Sequence, residues 1–453
     1  MADGRFTWST ATDLVAAVRR AVGAGDRVPD LGVDGWTGLG GRLPVPGLAV
    51  GAVAAQLLAA RELTGGAAGP LALDARHVGV AFRSERFARL DGRPAGPGFA
   101  PLSRFWRTAD GWLRLHGNYP HHRAAALAVL GDDVEAAAAQ WRAEDLEAAV
   151  VAAGGAAAAL RTAAQWREHP QGRAVTGLPL ASLRRVAHGP PRRIALRGLR
   201  VLDLTRVIAG PVATRTLASH GADVLRVDGP RLPDDRGGLI DTGAGKRHVV
   251  LDLASAGDRR TVEELLAGAD VVLQGYRPGA LDALGMGPEG LLERHPHLVV
   301  VRLSAWGTTG PWGDRRGFDS LVQAATGIAD VYGSPEAPGA LPVQALDHGT
   351  GHLAAALVLG ALARRRAEGG GWFGELSLAR TAHWLLNAPA GAPEPAPAAD
   401  PDPEPYLLHL PTPDGTATVV APPGSPAWTT AAVLPPDAQP VWRRASTGDR
   451  VDG

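Results

Sequence analysis

Residues 199–228 read LRVLDLTRVIAGPVATRTLASHGADVLRVD, and this stretch decides the fold. A short β-rich run, LRVLDL, breaks at Thr205 into a helical pattern that ends in HG, and a second β-rich run, DVLRVD, follows at once. Two strands joined by one helix read as a βαβ unit, which requires the strands to lie parallel. Working outward, the alternation continues. HVVLDL at 248–253 is followed by the helical DRRTVEELLAGA at 258–269, then by DVVLQG at 270–275 and HLVVVRLS at 297–304. The expected architecture is α/β, a Rossmann-like parallel sheet with helices on both faces, accompanied by a smaller α+β domain. Ligands bind such sheets beyond the carboxyl ends of the strands, so the loops after Leu204, Val227, Leu273 and Leu303 become the candidates.

A second pattern lies at both ends of the chain. LPVPGLAVG at 43–51 and LPVQALDHG at 341–349 align without a gap, and an Ala/Leu-rich helical pattern and a glycine cluster follow each. The chain therefore carries an internal duplication. Asp347 of the second copy is replaced by Ala49 in the first. Two readings of Asp347 stand open, a helix N-cap whose carboxylate serves orphan amides and a reacting group. A cap is useful in both copies, whereas a nucleophile is needed only in the working one, so the asymmetry favours chemistry.

Composition narrows the chemistry. Lys+Arg and Asp+Glu balance at 46 each in 453 residues, so no net field recruits nucleic acid or an anionic membrane. The chain has no cysteine, which removes disulfides, thiolate zinc sites and cysteine nucleophiles. No basic-then-apolar leader opens the sequence and no long apolar span interrupts it, giving the expectation of a cytoplasmic protein. Four segments are expected: 1–190, a degenerate half with a small-domain-like part; 191–386, the ligand-binding domain; 387–405, a Pro/Ala/acidic linker; and 406–453, a short segment with a loose end. The Thr-x-Asp-Gly sequences at 108–111 and 412–415 read as turns.

Residues 199–386 resemble the class III coenzyme A transferases, the CaiB–BaiF family. The resemblance rests on VLDLTRVIAGPVATRTLASHGADVLRVDGP, GKRHVVLDL, ADVVLQGYRPGALDALGMG, LSAWGTTGP, GFDSLVQAATG and LPVQALDHGTGHLAAALVLGAL, in the family's order. FWRTADGWLRLHGNY and WREHPQGRA, which look like the family's small domain and C-terminal part, here precede the nucleotide-binding half.

The resemblance implies CoA and acyl-CoA as substrates, no permanently bound cofactor or metal, and a carboxylic acid as acceptor. It implies a homodimer, with a pseudosymmetric monomer as the alternative. It places the nucleophile at Asp347, attacking acyl-CoA to form an anhydride and then an enzyme thioester. An unperturbed pKa near 3.9 would keep that carboxylate ionised at neutral pH without a base. Gly349, with Gly351, is expected to let backbone approach the thioester and aim amides at an oxyanion.

For CoA, the implied contacts are Arg206, Val207, Ile208 and Ala209, in the turn before a helix with Pro211 at its first position. Lys246 and Arg247 are implied as a basic phosphate pair, and loss of Lys246 is expected to weaken CoA binding. Tyr276 is expected to stack on the base and Arg277 to pair with phosphate. Asp228 ends a strand as ribose-binding acids do, but without a GxGxxG before it. Phe318 stands before Asp319 where the family's racemases carry histidine, so transfer is favoured over two-base racemisation. Intramolecular CoA transfer and an inactive CoA-binding pseudoenzyme are the alternative functions.

Overall fold

The computed structural model describes residues 8–443 except 67–68, 194, 233, 335, 390–393, 395–399, 435 and 437. Six parallel strands form the main sheet: β1 (Arg200–Leu204), β2 (Asp223–Asp228), β3 (Arg247–Val250), β4 (Val271–Gln274), β5 (Val299–Ser304) and β6 (Gly371–Ser377). They are ordered β3-β2-β1-β4-β5-β6, and strand Ala181–Ala187 closes the β6 edge antiparallel. The order reverses between β1 and β4, the switch point where open α/β sheets bind ligands. β2 and β4 are buried along their whole length, which explains their Val/Leu content; the buried Asp223, Arg226, Asp228 and Gln274 in them are each hydrogen-bonded.

Five helices position the site: α1 (Ser9–Ala21), α2 (Val45–Leu63), α3 (Ala209–Ser219), α4 (Asp319–Thr326) and α5 (Ala345–Glu368). On one face of the sheet α1, α2, α3 and α5 share a core with Val201 and Val271. Val262, Leu265, Leu291 and Leu292 cover the other face against Leu202 and Val272. The expected α/β sheet with helices on both faces is therefore the observed one.

The duplicated stretches become α2 and α5, which pack against each other. Their starts share one backbone geometry: Pro44 at φ −76°, ψ 54° and Gln344 at φ −72°, ψ 59°. The first half also keeps a parallel pair, Leu31–Asp34 with Leu71–Asp74. The smaller α+β unit is a three-stranded antiparallel sheet, Phe105–Arg107, Trp112–Leu115 and Ala157–Ala159, with its own apolar cluster around Leu113 and Leu146. Both expected turns are present, with Thr108 N bonded to Gly111 O at 3.0 Å and Thr412 paired with Gly415.

The end of the chain departs from expectation. Of the linker-like stretch, Glu394 is buried and accepts from the Thr37 hydroxyl at 2.9 Å, while Asp400 pairs with Arg83 at 2.9 Å. Composition counts apolar residues, and these carboxylates anchor through polar groups instead. The start of the end expected to be loose is pinned as well: Trp442 Nε1 donates to Leu265 O and Arg443 N to Asp223, both at 2.9 Å. Residues 444–453 lie outside the described residues.

Glycine lets α5 sit close to its neighbours. A Cβ on Gly351 would lie 2.6 Å from Ala209 O and 2.8 Å from Val212 Cβ, whereas one on Gly349 would meet Leu48 side-chain carbons at 3.1 Å. Gly351→Ala is therefore expected to destabilise the fold by about 1–3 kcal/mol, and Gly349→Ala by less, because a side chain yields where a carbonyl does not. Chemical denaturation of the two variants checks the order; equal stabilities would show that α3 moves aside freely.

Candidate active site

The start of α5 bears on the cap reading of Asp347. The N-cap position belongs to Gln344, and Asp347 is the third residue inside the helix. Its amide donates to Asp319 Oδ2 at 3.0 Å, and Asp319 also takes the Leu346 amide. The carboxylate that serves the orphan donors thus comes from the start of α4, held there by Gln323, whose Oε1 accepts from Leu341 N at 2.8 Å. The Asp347 carboxylate makes no hydrogen bond among the described residues and is only 6% exposed. The cap reading is excluded.

Burial holds Asp347 well above the usual carboxylate range, and the Asp319 and Glu85 carboxylates add to that rise. Asp319 itself is raised to about 6 by burial. The expectation of an ordinary, ionised carboxylate is corrected by this setting. Beside it His348, 0% exposed, faces Glu85 at 3.1 Å from the first half of the chain. Gly349 and Gly351 lie inside α5, where their amides belong to the helical ladder, so the expected oxyanion role gives way to close helix packing.

A pH dependence follows. A folded-state pKa above the unfolded value makes ionisation of Asp347 destabilising, so its contribution is complete below about 3.8 and is lost as pH rises through the folded value. Ionisation of Asp347 is expected along a limb lying above the ordinary carboxylate range, and this group lowers the thermal midpoint over the same interval; any chemistry that needs its carboxylate should follow that limb. Asp319→Asn removes one raising charge and should move the limb toward acid. A limb unmoved by that substitution would mean that another group sets it.

The turn after β1 is built on Asp203, which is buried and accepts from Thr205 N and from the Thr205 and Thr214 hydroxyls. Val207 adopts φ +70°, strained for a β-branched residue, and its N–H is held by Asp234 Oδ2 at 3.1 Å. Asp234 also accepts from Tyr119 Oη at 2.6 Å and Arg226 at 2.7 Å, and its neighbours hold it down at about 2 against the effect of burial. Arg206 lies 3.6 Å from Asp234 and over the Tyr119 ring. Ile208 is the N-cap of α3 and Ala209 its first residue, leaving the Ala209 and Gly210 amides as orphan donors. Pro211 falls at the third helical position, not the first as expected.

Beyond the carboxyl ends of β1 to β4 lies a cleft of about 230 Å³ lined by Leu204, Arg206, Asp228, Arg231, Tyr276 and Leu281, among others. Among the expected residues, Arg206 and Tyr276 line it, and Val207, Ile208 and Ala209 adjoin it through the turn. Arg277 is exposed and outside that lining, near Asp314 O. The basic pair is elsewhere. Lys246 Nζ is buried between Asp203 Oδ2 at 3.1 Å and Pro211 O at 2.9 Å, beneath α3. Arg247 is bidentate on Asp223 at the amino edge of the sheet, opposite the cleft. Neither member of the pair lines the cleft: Lys246 is committed to a buried ion pair with Asp203, and Arg247 to Asp223.

Glu85, Tyr119 and Asp234 carry no signal in the local sequence pattern. Glu85 and Tyr119 come from the first half and meet the second only through the tertiary fold. Asp319 had a signal, its position opening the helical pattern of GFDSLVQAATG.

Comparison with known proteins finds relatives among CoA-transferases. The chain is similar to the probable fatty acyl-CoA transferase of Mycobacterium tuberculosis (36% identity over 188 residues, 38% of this chain and 48% of that protein). It is also similar to the succinyl-CoA:glutarate CoA-transferase of Mus musculus (31% identity, 40% of this chain and 45% of that protein). The crystal structure of a CAIB/BAIF family protein from Brucella suis is 28% identical, with 49% of this chain and 64% of that chain covered and a TM-score of 0.39. The chain spans about half the length of the curated relatives it matches. Residues 196–432 match the description CoA-transferase family III, and the chain belongs to that family.

Proposed function

We propose that the protein is an acyl-CoA:carboxylate CoA-transferase with Asp347 as nucleophile. A carboxylate oxygen of Asp347 attacks the thioester carbonyl, the C–S bond breaks, and CoA leaves as thiolate. The thiolate attacks the Asp347 carbonyl of the anhydride, releasing the acyl group as a carboxylate and leaving an Asp347–CoA thioester. The acceptor carboxylate attacks that thioester, and the expelled thiolate takes the acceptor's acyl carbon, restoring Asp347. The Arg206–Ala209 turn and Tyr276 bind CoA in this reading, and the cytoplasmic setting expected from the sequence is part of it.

One observation carries the reading: a buried carboxylate, relieved of capping by Asp319, lies one helical turn from Gly351, where α5 meets the first residue of α3. The packing of α2 on α5 within one chain supports a pseudosymmetric monomer over the expected homodimer, and sedimentation at micromolar concentration distinguishes them. The deciding experiment is intact-mass measurement after exposure to a panel of acyl-CoAs. A CoA adduct, removed by hydroxylamine, is expected; its absence with every donor would favour the CoA-binding pseudoenzyme. Turnover that needs no added acceptor would favour intramolecular transfer.

A further inference from the structure

The small α+β unit presents to the rest of the molecule a cluster of polar side chains that lack partners. Arg114 lies on strand Trp112–Leu115, stacked over the rings of Phe99 and Phe105 at 5.4 Å and 5.3 Å. Its guanidinium makes no hydrogen bond or ion pair among the described residues, and Nε is buried without a partner. His116, two residues on, stacks on Phe318 at 3.6 Å between centroids, with Nδ1 unpartnered. His122 is 3% exposed, sits 5.6 Å from the same ring, and neither of its nitrogens has a partner. Buried polar groups are nearly always satisfied, so two buried histidines against Phe318, with the half-buried Arg114 guanidinium two residues from His116, call for a ligand.

The place is informative. Phe318 immediately precedes Asp319, which holds the Asp347 amide, so the cluster overlies the helix start next to the reacting carboxylate. We infer that Arg114, His116 and His122 form a subsite for the distal carboxylate of a dicarboxylic acyl group or acceptor. This rests on the transfer reading above and adds a substrate class to it.

A guanidinium offers a planar two-pronged donor matched to a carboxylate, and stacking on aromatic rings fixes its plane. Burial pulls both histidines down to about 3, so at neutral pH each is an uncharged ring that donates one N–H. Burial also draws Arg114 down to about 10, with Asp319 opposing, which leaves it charged at neutral pH.

The test compares succinyl-CoA with butyryl-CoA, which share chain length and differ in the second carboxylate, as donors for the intact-mass adduct. Arg114→Gln is expected to slow labelling by succinyl-CoA about tenfold to a hundredfold and to leave butyryl-CoA unchanged. Arg114→Lys, which keeps the charge and loses the fork, should fall between and serves if the Gln variant does not fold. Equal labelling by both donors in the parent, or equal losses in the variant, overturns the subsite while leaving transfer at Asp347 standing.

Labelling of the parent by other donors of the panel but not by succinyl-CoA overturns the subsite; if no donor of the panel labels it, the transfer reading fails, and calorimetry of the full chain with succinate, butyrate and inorganic phosphate decides the subsite. Succinate binding that Arg114→Gln weakens, with butyrate and phosphate failing to compete, supports it. No succinate binding, or equal competition by phosphate, overturns it.

Discussion

Asp347→Asn is expected to fold like the parent, bind CoA, and lose transfer by about three orders of magnitude or more, as losses of nucleophiles do. The structure sharpens this expectation, because the helix start does not depend on the substituted carboxylate. The amides of Leu346 and Asp347 are served by Asp319, so an amide side chain at 347 leaves the cap intact. Asn also removes a buried acid whose ionisation Asp319 and Glu85 oppose. The thermal midpoint should therefore match the parent or exceed it, by more at higher pH, where the parent's acid ionises at a cost to stability. A neutral amide forms neither the anhydride nor the thioester, so the CoA adduct should vanish with the activity. Retained transfer in a well-folded Asn variant would place the nucleophile elsewhere.

Lys246→Ala is expected to lower stability by about 3–5 kcal/mol, the cost of breaking a buried ion pair from one side. Asp203 is 0% exposed and meets Lys246 Nζ at 3.1 Å. Its remaining hydrogen-bond partners are the neutral Thr205 amide and the Thr205 and Thr214 hydroxyls, and the nearby Arg226, shared with Asp228 and Asp234, offsets its charge only in part. The same lysine holds Pro211 O at 2.9 Å, so its loss also loosens the first turn of α3 next to the Arg206–Ala209 turn. Denaturant unfolding is the measurement. Parent stability together with a weaker affinity for CoA would return Lys246 to the phosphate role that its sequence neighbourhood suggested.

The alternation of short apolar runs with helical stretches after Leu199 determined the sheet. Burial of a parallel strand on both faces demands apolar side chains at nearly every position, a signal written locally. The turns at 108–111 and 412–415, the helix after Ala209 and the equivalence of the two LPV segments were legible for the same reason, since each depends on neighbours within a few residues. The duplication even singled out Asp347, through Ala49.

What the tertiary structure alone decided is the environment of each charge. Asp347 looks like any first-turn acid until Asp319 takes the capping duty and Glu85 arrives from the other half of the chain. Lys246 looks like an exposed cation until the fold buries it against Asp203. Glu394, in a stretch that reads as a linker, meets Thr37 at the far end of the sequence. Local patterning states which backbone form a segment prefers, whereas solvation and Coulomb terms depend on what lies within a few ångströms in space. Those neighbours are set by the packing of two half-units, and a one-dimensional pattern does not contain that distance.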